Sequence, residues 1–472
     1  MAPMMLGLLA ALAAATAVGA PAAPATRRLV ADGHFLKLQG PDTPTDDEPF
    51  VYRGDTAWNF LLRANATEAA EYFEQRGRQG FNVVQSVATG MGMGGFEPME
   101  WGPQADRNGE FAWLDHGGQR VPSPPMINHS FHGNATVTFD VTKHNPAFWA
   151  HIDEILDVAA AHGFYVALWA TWGSSFISKG GGQYSFHLFS EPEQGYAHGR
   201  FIGRRFGARP NLIFVLGGDI ALPVDPAPQV AIYRAMAEGL AQGVAEGPSG
   251  SRPAHRPKWH DSKDALWRNQ LMTLHPTSGL SSSSVFGDDA WLSVNMIQAG
   301  WKNQAKIKPL EESDFEANGA DGIRPTFMGE GAYERDCYTW CGQPALGADL
   351  PTTGAWGVRL YAWWGMLAGG VGCKCSSSLC VFFRSQNPKN ARLAQFLGFP
   401  RVLTTCCCRR RRLRIGRDLG VAPHQQRPRH RHAVVQRVCP VQLARGFVRF
   451  PRRRQPAPSR RPLRRPLGAG KE

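Results

Sequence analysis

Five consecutive apolar residues, Leu212-Ile213-Phe214-Val215-Leu216, stop abruptly at Gly217-Gly218-Asp219. The run is short for a helix, and a strand that is apolar at every position needs cover on both faces. A parallel sheet clothed by helices supplies that cover. The rest of the chain follows suit. Residues 50–52, 81–85, 165–169, 270–274, 292–297 and 326–328 read as further strands. Helices are expected between them. One is capped by Thr67, presents Ala69, Tyr72 and Phe73 on one face and stops near Gly80. The clearest covers 146–162, with Asn145 as cap, Pro146 at its first position and Gly163 as stop. Others cover 192–206, 229–240 and 355–367. Ahead of them, Asp32-Gly33 within 29–38 signals a hairpin.

Such alternation places the chain in the α/β class. An open doubly wound sheet is the rival architecture, but no G-x-G-x-x-G opens a helix after the first strand and no P-loop is present. The polar residues favour a (β/α)8 TIM barrel. Asp55, Gln85, Trp169, Asp219, His275, Gln298 and Glu330 each lie at or just past the end of an expected strand. In a barrel those ends converge on the C-terminal face, where this fold carries its chemistry.

Two of these residues are acids. Hydrolysis of a glycosidic bond needs a proton donor for the leaving oxygen and a carboxylate facing the anomeric carbon, and no cofactor. Asp219 and Glu330 have the placement this requires. No metal is expected, because the one His-x-His is His430-Arg431-His432, far from the first strand. A serine nucleophile lacks its G-x-S-x-G.

The chain resembles the apiosidase-like glycoside hydrolases, formerly a domain of unknown function. The resemblance rests on Gly54-Asp55-Thr56-Ala57-Trp58, Gly80-Phe81-Asn82-Val83-Val84-Gln85, Ala170-Thr171-Trp172-Gly173, Gly203-Arg204-Arg205-Phe206-Gly207, Arg209-Pro210-Asn211 and Leu216-Gly217-Gly218-Asp219. It continues through Leu274-His275-Pro276, Asn295-Met296-Ile297-Gln298, Gly329-Glu330 with Tyr333-Glu334, and Ala362-Trp363-Trp364. It covers residues 27–372 in order. The resemblance implies a barrel acting on glycosides, with apiose-containing side chains of plant pectin as the substrate type. Asp219 is then the general acid/base and Glu330 the nucleophile of a retaining mechanism, with Glu334 a rival for the second role. Asp55, Gln85, His275 and Gln298 become contacts to sugar hydroxyls. The partner so implied is a plant cell-wall oligo- or polysaccharide.

All 14 Trp lie between Trp58 and Trp364. Trp58, Trp169 and Trp172 sit at or just past strand ends, where rings can stack on a sugar face. Trp149 and Trp363 fall on helices and are expected in the core.

The formal net charge of +13 suggests a nucleic-acid partner until it is located. Residues 401–472 hold 21 of the 52 Lys and Arg residues and two of the 39 acids, so residues 1–400 carry 31 basic against 37 acidic residues. The body is mildly acidic, and no nucleic-acid partner is expected for it. Beyond Gly372 the chain changes character. Cys373-Lys374-Cys375 is followed by Cys406-Cys407-Cys408 and Arg409–Arg412, and Trp is absent. Relatives commonly append a small β-sandwich, described as collagen-binding. Residues 373–472 read instead as a frameshifted or mis-spliced remnant of such a domain. A disordered linker for acidic polysaccharide and a nucleic-acid-binding tail are the alternatives. A frameshift would damage the eighth strand, leaving the barrel with two open edges and the product inactive.

Residues 1–25 read as a signal peptide with an apolar stretch at 6–18, too short to span a bilayer. No later segment reads as a membrane span. The sequons at Asn65, Asn128 and Asn134 fit an extracellular, secreted protein, and Cys337 and Cys341 would form a small disulfide there. A non-catalytic carbohydrate-binding barrel remains the alternative function. Nothing in the sequence speaks to oligomeric state.

Overall fold

The computed structural model describes residues 27–40, 47–89, 103–122, 135–173, 177, 188–218, 228–299, 304–316, 323–331 and 355–375. Strands β1 (Leu29–Asp32) and β2 (Phe35–Leu38) form the expected hairpin, turning through Gly33 at φ 55. Strand β3 (Glu48–Phe50) adds to it. The segment expected as a single strand over 50–52 therefore divides at Val51, and the barrel begins with β4 (Tyr52–Thr56).

Helix α1 (Ala66–Arg78) follows. Its cap is Asn65 rather than Thr67. The Asn65 side chain accepts from the Glu68 amide at 2.8 Å, and the Glu68 carboxylate accepts from the Asn65 amide at 2.9 Å. This reciprocal pair satisfies two backbone donors at once, which a Thr67 cap would not. Next come β5 (Val83–Val87), an antiparallel pair of β6 (Trp113–Asp115) and β7 (Phe139–His144), helix α2 (Pro146–Ala161) and β8 (Tyr165–Trp169). The pair β6–β7 is not among the expected strands, although Phe139-Asp140-Val141-Thr142 alternates apolar and polar residues. Asn145 caps α2 as expected, accepting from the Ala147 amide at 3.1 Å.

Helices α3 (Pro192–Phe206) and α4 (Pro228–Glu246) flank β9 (Leu212–Val215). They pack backbone against backbone through glycines. A Cβ on Gly199 would stand 2.0 Å from the Met236 carbonyl oxygen, and one on Gly239 would stand 2.1 Å from that of Tyr196. The chain closes with β10 (Met272–Thr273), β11 (Leu280–Ser281), β12 (Asn295–Gln298), α5 (Gln304–Glu316), β13 (Thr326–Glu330), α6 (Ala355–Leu367) and β14 (Gly372–Cys375).

Eight strands run parallel in chain order around a (β/α)8 barrel: β4, β5, β8, β9, β10, β12, β13 and β14. Between β10 and β12 no ladder forms. The Ser293 amide, two residues ahead of β12, donates to the Met272 carbonyl at 3.1 Å and bridges that seam. The eighth strand is present, against the expectation that it is damaged. Residues 372–375 pair with β4 from Gly372↔Tyr52 to Cys375↔Asp55, and Cys373 also pairs with Met328 of β13. The ladder uses backbone groups, so an unusual Gly-Cys-Lys-Cys strand can still close it. The remaining tail, 376–472, lies outside the described residues, as do the leader, the sequons at Asn128 and Asn134, and Cys337 with Cys341.

Trp149 is fully buried, as expected, whereas Trp363 is 54% exposed on α6. Its neighbours Trp364 and Leu367 are exposed too, so helical spacing there does not report a core face. No helix among the described residues is long and apolar enough to cross a membrane.

Candidate active site

Strand β13 reads Thr326-Phe327-Met328-Gly329-Glu330 and must aim a carboxylate into the barrel. Phe327 points inward, stacking on Tyr52 with centroids 4.4 Å apart, while Met328 packs outward with Ile307 and Tyr361. Strict alternation would send Glu330 outward with Met328. The register with β12 shifts at this point. Ile297 pairs with Met328, but Gln298 pairs with Glu330, so Gly329 is the extra residue of a β-bulge. The bulge turns Glu330 to the side of Gln298. Gly329 leaves room there for Met296, whose Cγ and Sδ would stand 2.3 Å and 2.5 Å from an added Cβ.

Two side chains then hold the Glu330 carboxylate. Gln298 Nε2 donates to Oε2 at 3.0 Å, and His275 Nε2 stands 2.8 Å from the same oxygen. All three are buried. The His275 backbone is fixed by its amide, which donates to the Gly217 carbonyl at 3.1 Å at the end of β9. Strand ends β9, β10, β12 and β13 thus converge on one carboxylate.

Three tryptophans complete the cluster. The Trp58 and Trp169 centroids lie 5.0 Å apart at 90°, and Trp58 and Trp172 lie 5.2 Å apart at 72°. The His275 ring lies 5.8, 5.7 and 6.0 Å from Trp58, Trp169 and Trp172. The six-membered ring of Trp172 rests on Gly218, where a Cβ would stand 2.4 Å from it. Gly218 immediately precedes Asp219 in the sequence. Asp219 and Glu334 lie outside the described residues.

Asp55 and Gln85 are not brought to Glu330. Asp55 faces α1, where its Oδ2 accepts from Arg76 Nε at 2.6 Å and from the Tyr72 hydroxyl at 2.7 Å. The reason is period-two geometry: Thr56, one residue on, takes the inward position. Gln85 points inward, but its amide bridges two barrel residues. Its Oε1 accepts from the Thr56 hydroxyl at 2.9 Å, and its Nε2 donates to the Tyr52 hydroxyl at 2.8 Å. Burial pushes the Tyr52 phenol up, so it stays neutral in this layer. Gly329 and Gly218 stand in the sequence only as the glycine directly before each acid, and nothing in the order of residues marks their packing role. Among the described residues, no group of three or more His, Cys, Asp or Glu is placed to hold a metal ion.

Comparison with known proteins agrees with the barrel fold. Residues 43–375 match the family model described as Apiosidase-like, catalytic domain. Two solved structures share the fold. One, described as a glycoside hydrolase, superposes with a TM-score of 0.53 at 22% identity, covering 78% of this chain and 69% of that one. The other, a glycoside hydrolase family 5 protein from Bacteroides vulgatus ATCC 8482, gives 0.51 at 20% identity, covering 74% of this chain. This chain spans 62% of the length of that second structure. No curated protein matches the chain in sequence.

Proposed function

The chain belongs to the Apiosidase-like catalytic-domain family, and on that premise we propose that it hydrolyses glycosidic bonds of plant cell-wall polysaccharide with two carboxyl groups. Apiose-bearing side chains of pectin are the proposed substrate. The observation that carries this reading is the Glu330 carboxylate, turned inward by a bulge and held at Oε2 by Gln298 and His275. The Gln298 hydrogen bond, with the His275 ring against the same oxygen, restricts the orientation of the group, which a nucleophile needs before its substrate arrives.

In this mechanism Glu330 attacks the anomeric carbon while Asp219 protonates the leaving oxygen. Asp219 then takes a proton from the water that releases the sugar from Glu330. Glu334 is the rival nucleophile. Gln298 and His275 orient Glu330, and the tryptophans with His275 wall the sugar site. We place Asp55 and Gln85 in the support of the barrel rather than against the sugar. The same proposal has the protein exported. The apolar stretch at 6–18 supports this, and N-terminal sequencing of protein recovered from culture medium tests it.

The first experiment is sugar release from a panel of plant cell-wall oligosaccharides that includes apiose-bearing pectin fragments. It compares the wild type with Glu330→Gln, Glu334→Gln and Asp219→Asn. Release that falls by orders of magnitude in Glu330→Gln and Asp219→Asn, but not in Glu334→Gln, supports the assignment. The opposite pattern for the two glutamates moves the nucleophile to Glu334. Sugar affinity without release, unchanged in all three variants, replaces the enzyme with a carbohydrate-binding barrel. Proton NMR of the first anomer released separates retention from inversion.

A further inference from the structure

Three indoles elsewhere in this chain show how a buried ring N–H is ordinarily satisfied. Trp149 Nε1 donates to the Ala112 carbonyl at 2.9 Å, Trp267 to that of Asp261 at 3.0 Å, and Trp291 to the Asp289 carboxylate at 2.8 Å. Two indoles at the candidate active site differ from these three. Among the described residues, the Nε1 atoms of Trp169 and Trp172 are buried with no hydrogen-bond partner, and so is Oε1 of Gln298. These side chains are 0%, 2% and 7% exposed. Unsatisfied buried donors are uncommon in folded proteins, and a ligand is one way to explain them.

The backbone that carries the two indoles is held on several sides. The Trp169 carbonyl accepts from the Ala88 amide at 2.9 Å, and the Ala170 amide donates to the Val215 carbonyl at 2.9 Å. The Ala170 carbonyl lies 3.0 Å from His198 Nε2. The Trp172 ring is seated on Gly218, and the tryptophans meet one another and His275 edge-on. Buried rings packed in this way do not offer an open platform for stacking. Their unmet need is for an acceptor.

We propose that Trp169 and Trp172 determine specificity as hydrogen-bond donors to oxygens of the bound sugar, with Gln298 Oε1 accepting from a sugar hydroxyl beside Glu330. The Gln298 amide is oriented by its other end, where Nε2 donates to Glu330 at 3.0 Å. The ligand class is a single sugar ring carrying free hydroxyl groups next to the reacting carbon. A site of this kind discriminates strongly against a ligand that lacks the hydroxyl, because its buried polar groups are then left unpaired. The proposal rests on the reading that Glu330 is the reacting carboxylate.

Trp169→Phe and Trp172→Phe keep an aromatic ring and remove the N–H. Their loss assigns the two indole signals in a 15N–1H spectrum of the full-length protein. Those signals are then followed during titration with D-apiose, L-arabinose, D-xylose, L-rhamnose and D-galactose. The expected result is a downfield shift of both indole protons with at least one sugar. Each Phe variant is expected to lose about 10- to 100-fold in kcat/KM on the oligosaccharide that the wild type cleaves. Sugar binding that leaves both indole signals unmoved overturns the proposal, as do five sugars without effect. Phe variants with unaltered kcat/KM overturn it too. Indole shifts in a wild type that cleaves nothing support it while removing the hydrolase reading, so the two failures are distinguishable.

Discussion

Gly329→Ala tests whether the bulge before Glu330 is what builds the site. An added methyl carbon would stand 2.3 Å from Met296 Cγ, 2.5 Å from Sδ and 3.2 Å from Cε. Carbon atoms in contact sit about 3.5 Å apart, so either Met296 or the bulge has to move by about 1 Å. Met296 is fully buried in the core beneath the site, and Gly329 is joined directly to Glu330. The bulge therefore takes a large part of the displacement. Overpacking of this kind costs about 1–3 kcal/mol of stability. A 1 Å misplacement of a reacting group costs about 10²-fold in rate, equivalent to about 2.7 kcal/mol. The assay is kcat/KM on the oligosaccharide that the wild type cleaves, beside a thermal melt showing that the variant is folded. Met296→Ala in the same chain removes Cγ, Sδ and Cε and is expected to restore most of the lost rate. A single variant as active as the wild type refutes the reasoning. So does a double variant no better than Gly329→Ala, because the loss would then not arise from Met296.

Three further outcomes follow from the fold. Arg76→Ala strands the Asp55 carboxylate, 1% exposed, and is expected to lower stability by about 3–5 kcal/mol in denaturant titration; Asp55→Asn, which keeps the hydrogen-bonding shape, loses less. Gly199→Ala drives a methyl to 2.0 Å from the Met236 carbonyl and separates α3 from α4, lowering the melting temperature measurably, whereas Ala in place of the loop glycine Gly118 meets no neighbour within 4 Å and is limited by its φ of 79 alone. Burial pushes His198 down to about 4, from 6.5 in the unfolded chain. As pH falls through that window the unfolded state takes the proton first, so about 3 kcal/mol of stability is lost between about pH 6.5 and 4. Melts at stepwise pH check this, and His198→Gln flattens the dependence if His198 is its source.

Much of the architecture was legible in the amino-acid order. Apolar runs such as 165–169 and 212–216 appear as strands at or within a residue of their expected ends, because a strand buried on both faces has no polar position to blur it. Helix α2 was bounded by its own cap and stop, and such local chemistry acts without tertiary help. The order of the strands and the gathering of His275, Gln298 and Glu330 at one end also followed from position in the chain. Helix α4 ran six residues past its expected end at Leu240, since its packing against α3 holds a glycine-containing segment that propensity alone would release.

What tertiary structure decided was direction. A strand-end residue read from sequence has an even choice of faces, and a single bulge reverses the answer. Asp55 and Glu330 are both acids at strand ends, yet alternation turns Asp55 out to Arg76 while the extra residue Gly329 turns Glu330 in to Gln298. Likewise, three tryptophans at strand ends suggested stacking faces. Their packing against one another and on Gly218 left the buried N–H groups of Trp169 and Trp172 as the unmet requirement among the described residues. The closing strand was also decided in three dimensions. Gly-Cys-Lys-Cys carries no strand signal, but it meets two neighbouring strands whose backbone groups need partners, and those hydrogen bonds do not depend on which side chains the chain brings.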